Sequence, residues 1–226
     1  MITELESRAV LYATLALGFA YPETDDEFAA VAEPMERAVH SLQWADDLRT
    51  AIRHLRSAIN SPPAPIARAE EHTYLFHRQV HCPPYELSYC PAGMEQSLAD
   101  IAGFYRAFGL QAAPEAHERV DHIGSELEFM AVLCAKEARA DRQGLIEQAA
   151  ICRAARRAFL TDHLGRWAAT FAARLRDKAR LPFYPALAEM LMALLTREAA
   201  ELGTTLSPVL EGVAEAPTEM EGEPCG

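Results

Sequence analysis

With 226 residues, 50% of them apolar, the chain can build one good hydrophobic core but hardly two. Its 33 Asp and Glu against 21 Lys and Arg give a net charge of −12, and no run of Lys or Arg supplies a basic face. That balance excludes a nucleic-acid partner and favours cationic or neutral ones; with Lys136 and Lys178 the only lysines, Schiff-base and phosphate-loop chemistry have few candidates.

Ala, Leu, Glu and Arg fill the long segments and strand signals are nearly absent, so the expected fold class is all-α: a single globular bundle of about nine helices. A segment from about Thr3 to Phe19, apolar on most faces, is expected as a central buried helix ending at Tyr21-Pro22. Thr24 and Glu27 fit a capping box opening the second helix, with Pro34 as a break within it. A third helix runs from about Trp44 to Ile59, and Pro65 suits the first turn of a fourth that carries Ile66, Tyr74, Leu75 and Phe76. A long proline-rich loop, residues 79–93, follows; loops of that length in compact helical proteins tend to be functional. Helices are then expected from Met94 to Phe108, from Asp121 onward, from Gln143 to Thr161, from His163 to Lys178 and from Pro182 to Glu201. Residues 1–202 are read as the folded domain. Residues 203–226, with five Glu and no base, are read as a disordered acidic tail.

The five cysteines (Cys82, Cys90, Cys134, Cys152, Cys225) are odd in number and form no CxxC pair, which suits a reducing, cytoplasmic setting. Glu4 and Glu6 around Arg8 carry the wrong charge for a secretory signal, and the apolar run from Ala9 to Tyr21 is short of the ~20 residues that span a bilayer. No membrane span is therefore expected. Catalytic motifs of the GxSxG, HExxH, GxGxxG and phosphate-loop kinds are missing, and no catalytic residue is assigned. His72, His77, His81, Cys82 and Cys90 crowd together but lack zinc-ligand spacing, so neither a metal nor another cofactor is expected.

Two stretches hold the remaining chemistry. In Asp121-His122-Ile123-Gly124-Ser125-Glu126-Leu127-Glu128-Phe129, one reading makes Asp121 a helix N-cap, Glu126 and Glu128 solvated, and Phe129 core. The other groups Asp121, Glu126 and Glu128 as an acidic cluster beside His122, suited to a guanidinium that binds carboxylates bidentately. In Pro83-Pro84-Tyr85-Glu86-Leu87-Ser88-Tyr89, two prolines stiffen an extended entry; Tyr85 and Tyr89 either pack the loop onto the bundle or present a rigid surface to a ligand. Asp121 and His122 are expected to share a groove with Pro84, Tyr85 and Glu86.

Taken in order, Tyr74-Leu75-Phe76, Pro83-Pro84-Tyr85-Glu86-x-x-Tyr89, Asp121-His122-x-x-x-Glu126-Leu127-x-Phe129-Met130 and Phe159-Leu160-x-x-His163-Leu164-x-x-Trp167 resemble the TorD/DmsD/NarJ family of maturation chaperones. The form Cys82-Pro83-Pro84-Tyr85-Glu86 is similar to the branch serving type II molybdenum enzymes; Val120 departs from the proline many members carry before Asp-His. The resemblance covers most of residues 5–200. It implies a non-enzymatic chaperone that binds the twin-arginine signal peptide, or N-terminal region, of the catalytic subunit of a molybdopterin-dependent oxidoreductase until the cofactor is inserted. Leu75, Phe76, Pro84, Tyr85, Glu86, Tyr89, Asp121, His122, Glu126 and Phe129 are the implied peptide-binding residues. A helical protein that binds a nucleotide or other small molecule is the alternative, and homodimerisation stays open.

Overall fold

The computed structural model describes residues 2–20, 26, 31–40, 42, 45–77, 80–90, 94–111 and 119–208. Among these the regular structure is helical throughout, with no strand; the nearest approach to a sheet is an isolated antiparallel bridge between Tyr85 and His122. Helix α1 (Glu4–Phe19) opens on a capping box, with the Thr3 hydroxyl on the Glu6 amide and the Glu6 carboxylate on the Thr3 amide. Helix α2 is Ala32–Val39, with Pro34 in its first turn, where a missing N–H leaves no bond unmade. The expected capping box at Thr24 and Glu27 lies outside the described residues. Helix α3 is Ala45–Asn60; α4 (Pro65–His72) starts on Pro65 and widens into a π turn over Thr73–His77.

After the loop come α5 (Met94–Ala107), α6 (Ile123–Arg142), α7 (Ile146–Phe159), α8 (Gly165–Lys178) and α9 (Phe183–Leu202). The break expected near residue 162 is a second π turn, Leu160–Leu164, which carries α7 into α8 as one rod. The described residues thus form eight helical rods, close to the nine expected. Gly165 makes the turn possible: a Cβ there would lie 2.3 Å from the Leu160 carbonyl oxygen. Gly203 closes α9 in the left-handed region (φ 64°), and Leu206 still packs on the core beyond it.

The core sits between α1, α6, α8 and α9, with Leu11, Leu15, Leu127, Trp167, Phe171, Leu187 and Leu191 fully buried. α1 lies antiparallel on α6: Glu6 pairs with Arg142 at one end, and Ala16 meets Gly124 at the other. A charged knot is buried on the Arg142 side. Arg8 donates to Glu198 at 2.9 Å and Arg156 to Glu137 at 2.6 Å, while Arg156 also pairs with Glu198. Arg8, Arg156 and Glu198 are at most 1% exposed, so the knot ties α1, α6, α7 and α9 together.

Candidate functional site

At the opposite end of α1 the proline-rich loop is drawn onto the bundle by its backbone. The Cys82 amide donates to the Leu75 carbonyl (2.8 Å), and the Arg174 Nε donates to the His81 carbonyl (2.9 Å). Pro83 and Pro84 then hold the chain extended, so that Pro84–Glu86 runs antiparallel to Asp121–Ile123. The Ile123 amide donates to the Pro84 carbonyl at 2.8 Å, and the Glu86 amide to the Asp121 carbonyl at 3.0 Å. Tyr85 and His122 face each other at the bridge, their rings 5.4 Å apart and edge to face.

The segment 121–122 departs from the N-cap reading of its acid. His122, not Asp121, caps α6: its Nδ1 accepts the Gly124 amide at 3.1 Å, which places the ring proton of a neutral imidazole on Nε2. Asp121 is fully buried and accepts from the Leu87 amide at 3.2 Å and, bidentately, from Arg119 at 2.9 and 2.6 Å. The guanidinium that this acid calls for is therefore the chain's own. Arg119 also lies 4.8 Å from the centre of the Tyr85 ring.

Glu86 and Glu126 are equally withdrawn, each 0% exposed. Glu86 accepts from Ser97 Oγ at 3.0 Å and faces His163 Nδ1 at 3.2 Å; His163 Nε2 reaches Asp100 at 3.2 Å. Glu126 accepts from the Trp167 indole at 3.1 Å, and burial together with the charge of Glu86 holds its carboxyl well above the usual carboxylate range. Protonated, it can donate to Glu86, its hydrogen-bonding neighbour, while its Oε1 takes no other partner. Burial alone would lower the His163 pKa, but the hydrogen bonds and charges of Glu86 and Asp100 raise it on balance. Tyr89 stacks on Trp167 with centroids 5.4 Å apart, and Leu75, Phe76 and Phe129 lie in the core. Seven of the ten candidate residues, Leu75, Glu86, Tyr89, Asp121, Glu126, Phe129 and in large part Phe76, thus form the foundation of the loop rather than its outer surface. Of the two acids that one sequence reading leaves solvated, Glu126 is buried because the Trp167 indole, 41 positions away, reaches it, whereas Glu128 is exposed.

Above this foundation lies a cleft of about 510 Å³. Ala16, Phe19 and Ala20 of α1 form one wall, and His72, Phe76 and His77 of α4 and its π turn another. Pro84 and Tyr85 of the loop, with His122, Gly124, Ser125 and Glu128 at the start of α6, complete it. Four of the ten candidates (Phe76, Pro84, Tyr85, His122) line it. Glu128, read either as solvated or as a member of an acidic cluster, is exposed and carries no partner among the described residues, and partial burial raises its pKa. Phe19, His72 and His77 reach the cleft through the tertiary fold, with no local signal in the sequence.

Thiol chemistry finds no footing nearby: Cys82 is 0% exposed, and burial pushes its thiol up to about 12. Among the described residues no helix is long and apolar enough to cross a membrane.

The ordered motifs agree with comparison to known proteins. A family described as nitrate reductase delta subunit matches residues 41–173. The chain is 37% identical over 116 residues to the selenate reductase assembly chaperone protein of Thauera selenatis, covering 49% of this chain and 59% of that protein. It is 36% identical over 93 residues to the perchlorate reductase assembly chaperone protein of Dechloromonas aromatica (strain RCB), covering 41% of each. With the chlorate reductase assembly chaperone protein of Ideonella dechloratans it shares 33% over 100 residues, covering 43% and 51%. The matches thus span about half the length of these relatives. The family match takes in the loop, the α6 N-terminus and the His163–Trp167 motif, and the chain belongs to the nitrate reductase delta subunit family of NarJ/TorD-type chaperones.

Proposed function

We infer that this chain is a cytoplasmic, non-enzymatic assembly chaperone for a molybdopterin-dependent reductase. It binds the N-terminal, twin-arginine segment of the catalytic subunit and holds it until the cofactor has been inserted. The observation that carries this reading is the cleft, because the family motifs converge on it: the loop supplies one wall, the Asp121-His122 turn the next, and the His163–Trp167 motif fixes both from below. A mostly apolar cleft of about 510 Å³ with a few polar groups at its rim suits a short peptide rather than a folded domain. Tyr85 offers aromatic surface to apolar residues, over a floor closed by the buried rings of Phe19 and Phe76, and the net charge of −12 speeds encounter with a basic segment. Binding needs no bond-making step.

Isothermal titration with a synthetic peptide of two arginines followed by an apolar stretch, and separately with GTP, tests this reading. Saturable peptide binding with no heat from nucleotide is expected. Nucleotide binding without peptide binding would replace the chaperone by a nucleotide-binding helical protein.

A further inference from the structure

Of the acids expected to meet a cation, Asp121 is held by Arg119, Glu86 by His163 and Ser97, and Glu126 by Trp167. Glu128 remains. It lies four residues after Gly124 and three after Ser125, so all three share the face of α6 that forms the cleft wall. Its carboxylate is exposed at the rim and without a partner among the described residues, while the walls partly strip its water and push its pKa upward. Among the described residues, the other ionisable groups lining the cleft are the imidazoles of His72, His77 and His122 and the Tyr85 phenol, with no lysine or arginine.

We propose that Glu128 is the cation seat of the cleft: it takes one basic side chain of the bound peptide, arginine in preference to lysine, while the peptide's apolar residues lie against Tyr85 and the apolar wall that α1 supplies. A guanidinium satisfies both carboxylate oxygens at once and can stack on the neighbouring Tyr85 or His122 ring, whereas an ammonium makes a point contact and keeps more of its hydration. A carboxylate already part-desolvated gives up less water on pairing than a fully solvated one, so the contact discriminates charge as well as shape. The proposal rests on the cleft being the peptide site, and its test separates the two.

The probe is a fluorescein-labelled peptide of two arginines followed by an apolar stretch, alongside versions with citrulline or lysine in place of each arginine. Anisotropy titrations compare the full chain with Glu128→Gln and with Glu147→Gln, an exposed acid on α7 that controls for net charge. Glu128→Gln is expected to weaken the arginine peptide about tenfold or more, Glu147→Gln hardly at all, with melting temperatures unchanged. The citrulline peptide should bind the parent chain as weakly as the variant, with no further loss on combining the two changes, and lysine should fall between. Equal weakening of arginine and citrulline peptides by Glu128→Gln, or no weakening, overturns the cation seat while the peptide cleft stands. Failure of every peptide to bind the parent chain overturns both.

Discussion

Glu86 and His163, 77 positions apart in the chain, meet at 3.2 Å beneath the proline-rich loop, both almost wholly buried. The contact locks the loop to the π turn between α7 and α8, and so sets the height of Tyr85 in the cleft wall. We expect His163→Gln to destabilise the fold by about 1–3 kcal/mol, since it removes a charge-assisted partner from a buried carboxylate. Urea denaturation would measure this. Faster amide exchange at Glu86, Leu87 and Tyr89 than in α9 would localise the effect, and uniform loosening would argue against a local latch.

Stability should fall as pH rises, from the same buried groups. The Glu126 carboxyl has its pKa raised on folding, so its contribution is complete below its ordinary 4.5 and is lost as pH climbs through the folded value. The His163 pKa is likewise raised: the stabilisation is full below 6.5 and is lost as pH climbs through the higher folded value. Both signs agree, so the urea midpoint at pH 6 should exceed that at pH 8. Glu126→Gln, which keeps the shape and an acceptor for Trp167, should flatten the dependence; an unchanged slope would mean Glu126 folds as the carboxylate.

Gly165→Ala should lower stability by about 1–3 kcal/mol, because the new methyl meets the Leu160 carbonyl oxygen 2.3 Å away and the π turn must shift. Gly103→Ala, in α5 with nothing within 4 Å of the added Cβ, should instead stabilise by roughly 0.5–1 kcal/mol. Thermal melts of the two variants side by side check the contrast, and a harmless Gly165→Ala would refute the steric account.

The Arg8–Glu198–Arg156 knot yields the largest expected loss. Glu198→Gln strips the shared carboxylate from two buried guanidiniums and should cost about 3–5 kcal/mol. Peptide affinity of the fraction still folded should be unaltered, since none of the three lines the cleft. A selective loss of affinity would reveal a link along α1.

Helices with clear periodicity and proline or glycine punctuation were legible in the sequence: α4 begins at Pro65, α6 begins near Asp121, and α9 ends near Glu201. The π turn was not, because His163 and Gly165 look like a helix boundary until a third dimension shows α7 continuing into α8. The site was legible as a set but not as a surface. Tyr85 and His122 could be brought together from an over-long loop and a histidine at the wrong helix end. The burial of Glu86, Asp121 and Glu126 could not, since it depends on His163, Arg119 and Trp167 reaching each of them. Arg119, two residues before Asp121, was the one local clue. With the acid inside and Asn offering Arg119 a single neutral acceptor in place of a bidentate carboxylate, Asp121→Asn is expected to lower the melting temperature.

The most direct test of the central claim is to find where the peptide sits. A twin-arginine peptide carrying a photoreactive phenylalanine in its apolar stretch is irradiated with the full chain, and the attachment points are read by mass spectrometry. Cross-links should fall on the segments holding Ala16–Ala20, Phe76–His77, Pro84–Tyr85 and His122–Glu128, and should vanish with excess unlabelled peptide. Competed cross-links confined to the outer face of α7, around Ala150 and Arg157, or to the groove of His54 and Glu189, would place the peptide elsewhere and contradict the account.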